Sequence, residues 1–307
     1  MPELSVRLGS LTLANPVLAA AGTFGYGIEF AGRVRLNRLG ALITKTLTRE
    51  PREGNPPPRL VETPAGMLNA VGLQNMGLAA FLSETLPQLR PHGATVIVSL
   101  LADAPEELAA MAQAVDHADG AAAIELNLSC PNLRRAGASR PPLVAQDAEA
   151  TARMVEAARR VTKKPLIAKL SPDVTDLGPI AQAAERAGAD ALTVGNTYTG
   201  MSLDPETRTS RLGALTGGLS GPAIRPLAVY RAWYTAHRVR VPVIGLGGIV
   251  RAEDAVEFLL AGATAVAVGT ATFADPRAPV RVIDGLEKYC RRHGIDRIEA
   301  LRGSLKV

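Results

Sequence analysis

Eight short apolar runs recur along this chain, at residues 16–20, 41–45, 95–100, 122–127, 166–170, 191–195, 243–246 and 265–269. Each is followed by a stretch whose apolar residues return at helical spacing, and the clearest of these stretches are 106–117, 148–161, 180–187, 223–237 and 252–261. Runs this short read as strands, and continuous rather than alternating apolarity marks strands covered on both faces, as in a parallel sheet. Eight β-α repeats predict one closed (β/α)8 TIM barrel spanning 1–307 as a single domain. Composition agrees: hydrophobic residues make up 47% of the chain but aromatics only 4%, so the core must be packed from Ala, Val, Leu and Ile.

The connections are unequal. Three are too long for ordinary turns, at 46–77 after the second strand, 128–146 after the fourth and 196–221 after the sixth, and long ordered loops in compact domains are commonly functional. If the strand count is right, all three emerge at the carboxyl face of the barrel, so their polar residues meet at one mouth. Residues 4–13 alternate apolar and polar and predict an N-terminal β-hairpin over the opposite end.

Charge and cysteine content exclude several classes. The chain carries 34 basic and 29 acidic residues, a net charge of +5 spread along its length, with no aromatic interleaving among its arginines. That argues against nucleic acid and suits small anionic ligands. Cys130 and Cys290 are far apart and form no CxxC, so no disulfide framework and no metal site is expected, and the setting expected is reducing and cytoplasmic. Residues 8–28 lack charge, but Asn15-Pro16 and Gly22, Gly25 and Gly27 interrupt them, which speaks against a membrane segment.

Candidate chemistry clusters at the predicted carboxyl-end loops. The run at 122–127 leads into Leu128-Ser-Cys-Pro131, which places the Cys130 thiol just past a strand end among Asn127, Ser129 and Asn132. A thiol there can serve as nucleophile, metal ligand or proton acceptor, or be inert filler. Gly245-Leu-Gly-Gly-Ile249 and Val268-Gly-Thr270 place backbone amides where barrels commonly hold a phosphate. Lys45 and Lys169 end otherwise apolar runs and point to a Schiff-base nucleophile or an electrostatic clamp on a carboxylate or reduced flavin. Asn69, Asn127, Asn132 and Asn196 both donate and accept, which suits a flat ring with alternating N–H and C=O groups, although Asn is also a default turn residue.

Several segments together resemble class 1 dihydroorotate dehydrogenases: Asn127-Leu-Ser-Cys-Pro-Asn132, Gly54-Asn-Pro with Arg59, Asn69-Ala-Val-Gly-Leu-Gln-Asn75, Lys169-Leu-Ser-Pro172, Asn196-Thr197, Gly217-Gly-Leu-Ser-Gly-Pro-Ala223 and Gly247-Gly248. The likeness runs from about Leu4 to Asp284 with the motifs in family order. The Gly-Gly-Leu-Ser-Gly-Pro-Ala-Ile-Arg-Pro segment and Phe273-Ala-Asp-Pro276 resemble class 1B more than the fumarate-using class 1A. The resemblance implies oxidation of (S)-dihydroorotate to orotate in UMP synthesis. Cys130 would take the C5 proton as general base while the C6 hydrogen leaves as hydride to FMN.

By the same match, Ala21, Lys45, Thr46, Ser99, Asn127, Lys169, Gly195, Gly221, Gly247, Gly248, Gly269 and Thr270 would line FMN, with Lys169 near the N1 and O2 edge. Lys45, Asn69, Ala70, Val71, Gly72, Leu73, Asn127, Asn132, Asn196 and Thr197 would hold the substrate. The resemblance further implies a homodimer paired with an FAD and two-iron two-sulfur subunit as a heterotetramer that passes electrons to NAD. Ser99 stands where the class usually has Asn, Ala21 where Ser is frequent, and the arginine-bearing loop 133–142 departs from the common pattern. The alternatives are a class 1A-like enzyme, another FMN dihydropyrimidine dehydrogenase, a lysine-dependent lyase and a flavin-binding module without catalysis.

Overall fold

The computed structural model describes residues 1–129 and 144–306. The chain opens on a hairpin of β1 (Val6–Leu8) and β2 (Leu11–Leu13). The barrel begins with β3 (Val17–Ala19) and β4 (Ala41–Ile43), after which β5 (Leu60–Thr63) and β6 (Gly66–Asn69) form a second hairpin. It continues through β7 (Val96–Leu100), β8 (Ala121–Asn127), β9 (Leu166–Leu170) and β10 (Ala191–Val194). Four short strands follow, β11 (Tyr198–Gly200), β12 (Leu203–Asp204), β13 (Thr209–Ser210) and β14 (Gly217–Ser220), and β15 (Val243–Leu246) and β16 (Ala265–Val268) complete the strands among the described residues. β3, β4, β7, β8, β9, β10, β15 and β16 close into a parallel barrel in chain order, the predicted (β/α)8 architecture.

All eight apolar runs are the eight barrel strands. Their continuity follows from burial on both faces: β3, β4, β7, β9, β10 and β16 have no exposed or half-exposed residue. Close helix packing demands small residues on the strands. A Cβ at Gly245 would collide with the ring of Phe258 on the helix Ala252–Leu260, one of three fully buried phenylalanines that fill what aliphatic side chains leave. The helices Pro105–Asp116, Ala148–Arg159, Gly178–Arg186 and Arg225–Ala236 lie within two residues of the predicted segments.

The first repeat departs from the expected pattern. Between β3 and β4 the chain makes only the 3₁₀ turns Ile28–Phe30 and Leu36–Arg38, because Gly22, Gly25 and Gly27 sit at φ 90°, 50° and 92°, outside helical space. The last helix, Ala278–Arg292, packs against β3 instead. The helical stretch after the second unit is also uneven: it widens into a π turn at Phe81–Thr85 just before Pro87, whose missing N–H breaks the α-helical bonding ladder.

The N-terminal hairpin covers the amino end of the barrel, as its alternation predicts. Val6, Leu8 and Leu13 are buried, and a Cβ on the turn residue Gly9 would come within 2.8 Å of the Asp190 side chain at the foot of β10. At the carboxyl end the long loops carry strands that no local sequence pattern predicts. β5 and β6 from one connection and β14 and β11 from another form a single antiparallel sheet, in the order β11-β14-β6-β5, with Leu68, Ala70 and Leu212 as a small core of its own. Among the described residues no helix is long and apolar enough to cross a membrane.

Candidate active site

A cavity of about 670 Å³ opens at the carboxyl ends of the barrel strands, beneath the four-stranded sheet. Its size lies within the ~300–1,000 Å³ of ordinary small-molecule sites. Most of the residues singled out from the sequence converge on it. Ala21, Lys45, Thr46, Asn127, Lys169, Gly221, Gly247, Gly248, Gly269 and Thr270 lie on its wall, and so do Asn69, Val71, Gly72, Leu73, Asn196 and Thr197.

Ser99, Ala70 and Gly195 are set back from the wall. Ser99 is fully buried one position short of the strand end, and its hydroxyl is taken up by Thr46 and Glu125. Ala70 is buried, its carbonyl accepting from Asn55 Nδ2 at 2.9 Å. Gly195, at φ 137°, has its α-carbon against the Leu246 carbonyl, so glycine is needed there for strand contact rather than for a ligand. Cys130 and Asn132, with the loop 133–142, lie outside the described residues.

The floor of the cavity is a connected polar layer. Asn127 ends β8 in register with Lys169 on β9, which is in turn in register with Thr193 on β10. Asn127 Nδ2 donates to Thr46 Oγ1 (2.9 Å), which lies 3.0 Å from Ser99 Oγ. Ser99 Oγ donates to Glu125 Oε1 (3.0 Å) and Thr193 Oγ1 to Glu125 Oε2 (3.1 Å). Towards the other side, Ser129 Oγ donates to Asn127 Oδ1 (3.2 Å) and Asn196 Nδ2 to Ser129 Oγ (2.8 Å). Glu125, with no exposed surface, escaped the sequence reading, yet a carboxylate inside a strand buried on both faces is itself a signal.

Lys169 differs from these neighbours. Only 4% of its surface is exposed, it lines the cavity, and among the described residues its ammonium has no ion pair or hydrogen bond. A buried cation without a protein partner is costly, and an electron-rich ligand would satisfy it. The hydroxyl of Thr63, another lining residue, is likewise buried without a partner among the described residues.

The glycines that follow β14 and β15 shape the far end. Gly221 (φ 95°) lies against the Gly66 backbone, where a Cβ would come within 2.6 Å of the Gly66 α-carbon. At Gly248 (φ 72°) a Cβ would meet Arg225 Cβ at 2.7 Å and the Gly221 carbonyl at 2.9 Å. Bare backbone therefore faces the cavity where a phosphate was expected. Arg281, which the sequence reading missed, joins this end, tied to Asp275 by an ion pair of 2.6 Å. The backbone N–H of Arg277, and then Arg277 and Arg281 themselves, hold the Asp275 carboxyl below the usual carboxylate range.

The motif residues Asn55 and Arg59 act as braces. Arg59 spans the Asn55 and Glu53 carbonyls and Gln74 Oε1, and the Asn55 N–H donates to the Val71 carbonyl at 3.0 Å, which fixes the segment bearing Gly72 and Leu73 at φ 75° and 58°. Cys290 is fully buried in the helix Ala278–Arg292, and burial pushes its thiol up, so it behaves as packing. Among the described residues no group of His, Cys, Asp and Glu could hold a metal ion.

Comparison with known proteins gives this barrel its kinship. The dihydroorotate dehydrogenase family model matches residues 3–290. The catalytic subunit of dihydroorotate dehydrogenase B (NAD(+)) from Trichlorobacter lovleyi is 50% identical over 305 residues, 99% of each chain. Its namesake from Pelobacter propionicus is 48% identical over 305 residues, again 99% of each chain. A relative from Solibacter usitatus, provisionally named dihydroorotate dehydrogenase A (fumarate), is also 48% identical over 99% of each. With a family match across nearly the whole chain and relatives of this identity, the chain belongs to the dihydroorotate dehydrogenase family.

Proposed function

We propose that this chain is the FMN-bearing catalytic subunit that oxidises (S)-dihydroorotate to orotate, with electrons passed to NAD through a partner subunit. The observation that carries the reading is the Lys169 ammonium, buried at the cavity wall without a partner among the described residues, beside a row of amide and hydroxyl groups. The names of the relatives support the substrate and NAD, and the term catalytic subunit implies a second chain. The fumarate-type name on one relative of equal identity leaves class 1A as the second reading.

The residues present fit FMN. The bare backbone at Gly221, Gly247 and Gly248 suits the phosphate, with Arg281 adding positive charge. Lys169 suits the pyrimidine edge of the ring, where negative charge gathers on reduction. Bound FMN supplies the hydride acceptor. Asn127, Asn196, Asn69 and Thr197 then supply donors and acceptors for the substrate ring, and half-buried Lys45 a charge for its carboxylate. Cys130, next in sequence after Ser129, is assigned by sequence alone as the base that takes the C5 proton as thiolate. The sheet β11-β14-β6-β5 supplies part of the cavity wall.

The test is anaerobic. Purified protein should be yellow with one FMN per chain, and dihydroorotate should bleach it without oxygen. A colourless protein that nevertheless forms a borohydride-trapped adduct at Lys169 or Lys45 would replace this reading with the lyase. Co-purification of a chain carrying FAD and an iron–sulfur cluster, with NAD reduction, separates the class 1B reading from direct turnover with fumarate.

A further inference from the structure

Behind the glycine end of the cavity lies an ion pair, neither member of which lines it. Asp254, 1% exposed, sits in the first turn of the helix Ala252–Leu260. Its Oδ2 accepts the N–H groups of Val250 (2.9 Å) and Arg251 (3.0 Å), and its Oδ1 accepts from Arg225 Nη1. Arg251 Nε stands 3.6 Å from the same Oδ1. Every polar group that meets this carboxyl is a donor and two of them are cationic, which is the setting of a carboxylate. Arg225 opens the helix Arg225–Ala236 just past Gly221, and its Nε lies 3.5 Å from Glu257 Oε2.

The pair joins two corners of the cavity wall. Gly221 and Gly248 stand on the connections into the two helices, and the corners touch: a Cβ at Gly248 would meet Arg225 Cβ at 2.7 Å and the Gly221 carbonyl at 2.9 Å. The second corner divides its N–H groups. Val250 and Arg251 turn theirs back to Asp254. Gly248 and Ile249, both on the wall, donate to no acceptor among the described residues. Successive free N–H groups of this kind form an anion-binding concavity.

A helix-capping role accounts for the bonds to Val250 and Arg251. It does not account for Arg225, since a cap needs no cation from a neighbouring helix. Asp254 bonds the residue next to Ile249, so without Arg225 its negative charge would stand directly behind the free N–H groups and oppose an anion there. We infer that Arg225 and Asp254 are a positioning pair for the anion cradle: they clamp the corners at Gly221 and Gly248 and leave the Gly248 and Ile249 N–H groups to the flavin phosphate, which neither side chain touches. This rests on reading the cavity as the FMN site and is independent of Cys130 and of the substrate wall.

The test titrates the full-length apoprotein with FMN and with riboflavin, which lacks only the phosphate, followed by flavin fluorescence, so that turnover is not needed. Arg225→Met should weaken FMN at least about tenfold but riboflavin less than about twofold. Asp254→Ala should do the same, and Asp254→Asn, whose amide oxygen can still accept from Val250 or Arg251, should fall between it and the parent. The double variant Arg225→Met/Asp254→Ala should bind FMN within about threefold of the weaker single variant, because the two side chains act as one unit. Equal loss of FMN and riboflavin would make the pair purely structural. That result, parent-like or tighter FMN binding in Arg225→Met, or full multiplication in the double variant, overturns the inference.

If Asp254→Ala does not fold, Arg225→Met and Asp254→Asn decide the matter through the same ratio of FMN to riboflavin affinity, since both keep an acceptor for the helix cap. A parent protein that binds no FMN refutes the proposed function and this inference with it. A parent that prefers FMN, with variants that lose both flavins in equal measure, refutes only the role of the pair.

Discussion

Lys169→Met tests the electrostatic half of the site, because the two states of the protein should respond in opposite ways. Lys169 is 4% exposed and its ammonium has no hydrogen bond or ion pair among the described residues, so its removal deletes no polar contact with them. Methionine matches its length and is at home in an apolar strand end. The apoprotein should therefore keep or gain stability, since an unpaired buried charge no longer has to be desolvated. With flavin bound the balance reverses. A hydrogen bond to a charged group contributes roughly 1.5–3 kcal/mol, here mainly to the reduced and more negative ring. For a two-electron couple, where about 30 mV corresponds to about 1.4 kcal/mol, the midpoint potential should fall by roughly 30–65 mV. The assays are denaturant unfolding of the apoprotein and equilibration of the flavin with a reference dye. A large loss of apoprotein stability with an unchanged potential would show that Lys169 is a structural cation, and the argument from its missing partner would fail.

Three further outcomes are expected. Gly248→Ala forces a side chain onto φ 72° and to within 2.7 Å of Arg225 Cβ. It should cost about 2–5 kcal/mol in unfolding free energy together with FMN affinity, and an unaffected protein would mean that the cradle gives way freely. Cys130→Ala should keep FMN but lose most of the anaerobic flavin reduction by dihydroorotate, while Cys130→Ser should retain a small fraction at high pH; unchanged stopped-flow rates in the alanine variant would remove Cys130 from the mechanism. Asp116, Asp176 and Asp275 have carboxyls held low, chiefly by the Thr162 hydroxyl, the Gly178 N–H and the Arg277 N–H respectively. Their folded pKa values lie below the unfolded ones, so the stability they add is complete above pH ~4 and is lost as pH falls through the folded values. Denaturation midpoints measured from pH 6 down to 2.5 should show this, and an Asp116→Asn variant with an unaltered acid limb would contradict it for Asp116.

The barrel was legible because its strands are buried on both faces, which turns each into an uninterrupted apolar word such as Leu166–Leu170. Where that logic lapses, so does the reading. The first connection has helix-compatible spacing, but Gly22, Gly25 and Gly27 hold positive φ and give only 3₁₀ turns. The sheet over the cavity pairs Asn69 with Gly218, and no local pattern announces a partner so far along the chain. Wall residues such as Lys169 and Asn127 were found because polar groups ended apolar runs. Glu125 is not legible in the same way, because it sits inside an aliphatic run rather than at its end. Arg281 was missed for another reason: on a helix with many arginines, only the fold shows which one turns to the cavity.

The polar groups of the cavity fall into two kinds, and the difference states where a ligand belongs. In the floor, Thr46, Ser99, Glu125, Asn127, Ser129 and Thr193 find partners in one another, which is what a rigid wall requires, since a half-satisfied buried network would be costly and would let the amides turn. Lys169 and the Thr63 hydroxyl have no partner among the described residues, although each is well buried. Folding alone gives no return for that arrangement. A ligand that meets Lys169 must reach the carboxyl end of β9, at the wall of the cavity under the sheet. A flat ring system lying across the barrel mouth does this. Such a ligand would shield Lys169, so a parent protein whose Lys169 is protected from amine-modifying reagents only when FMN is bound would bear that placement out.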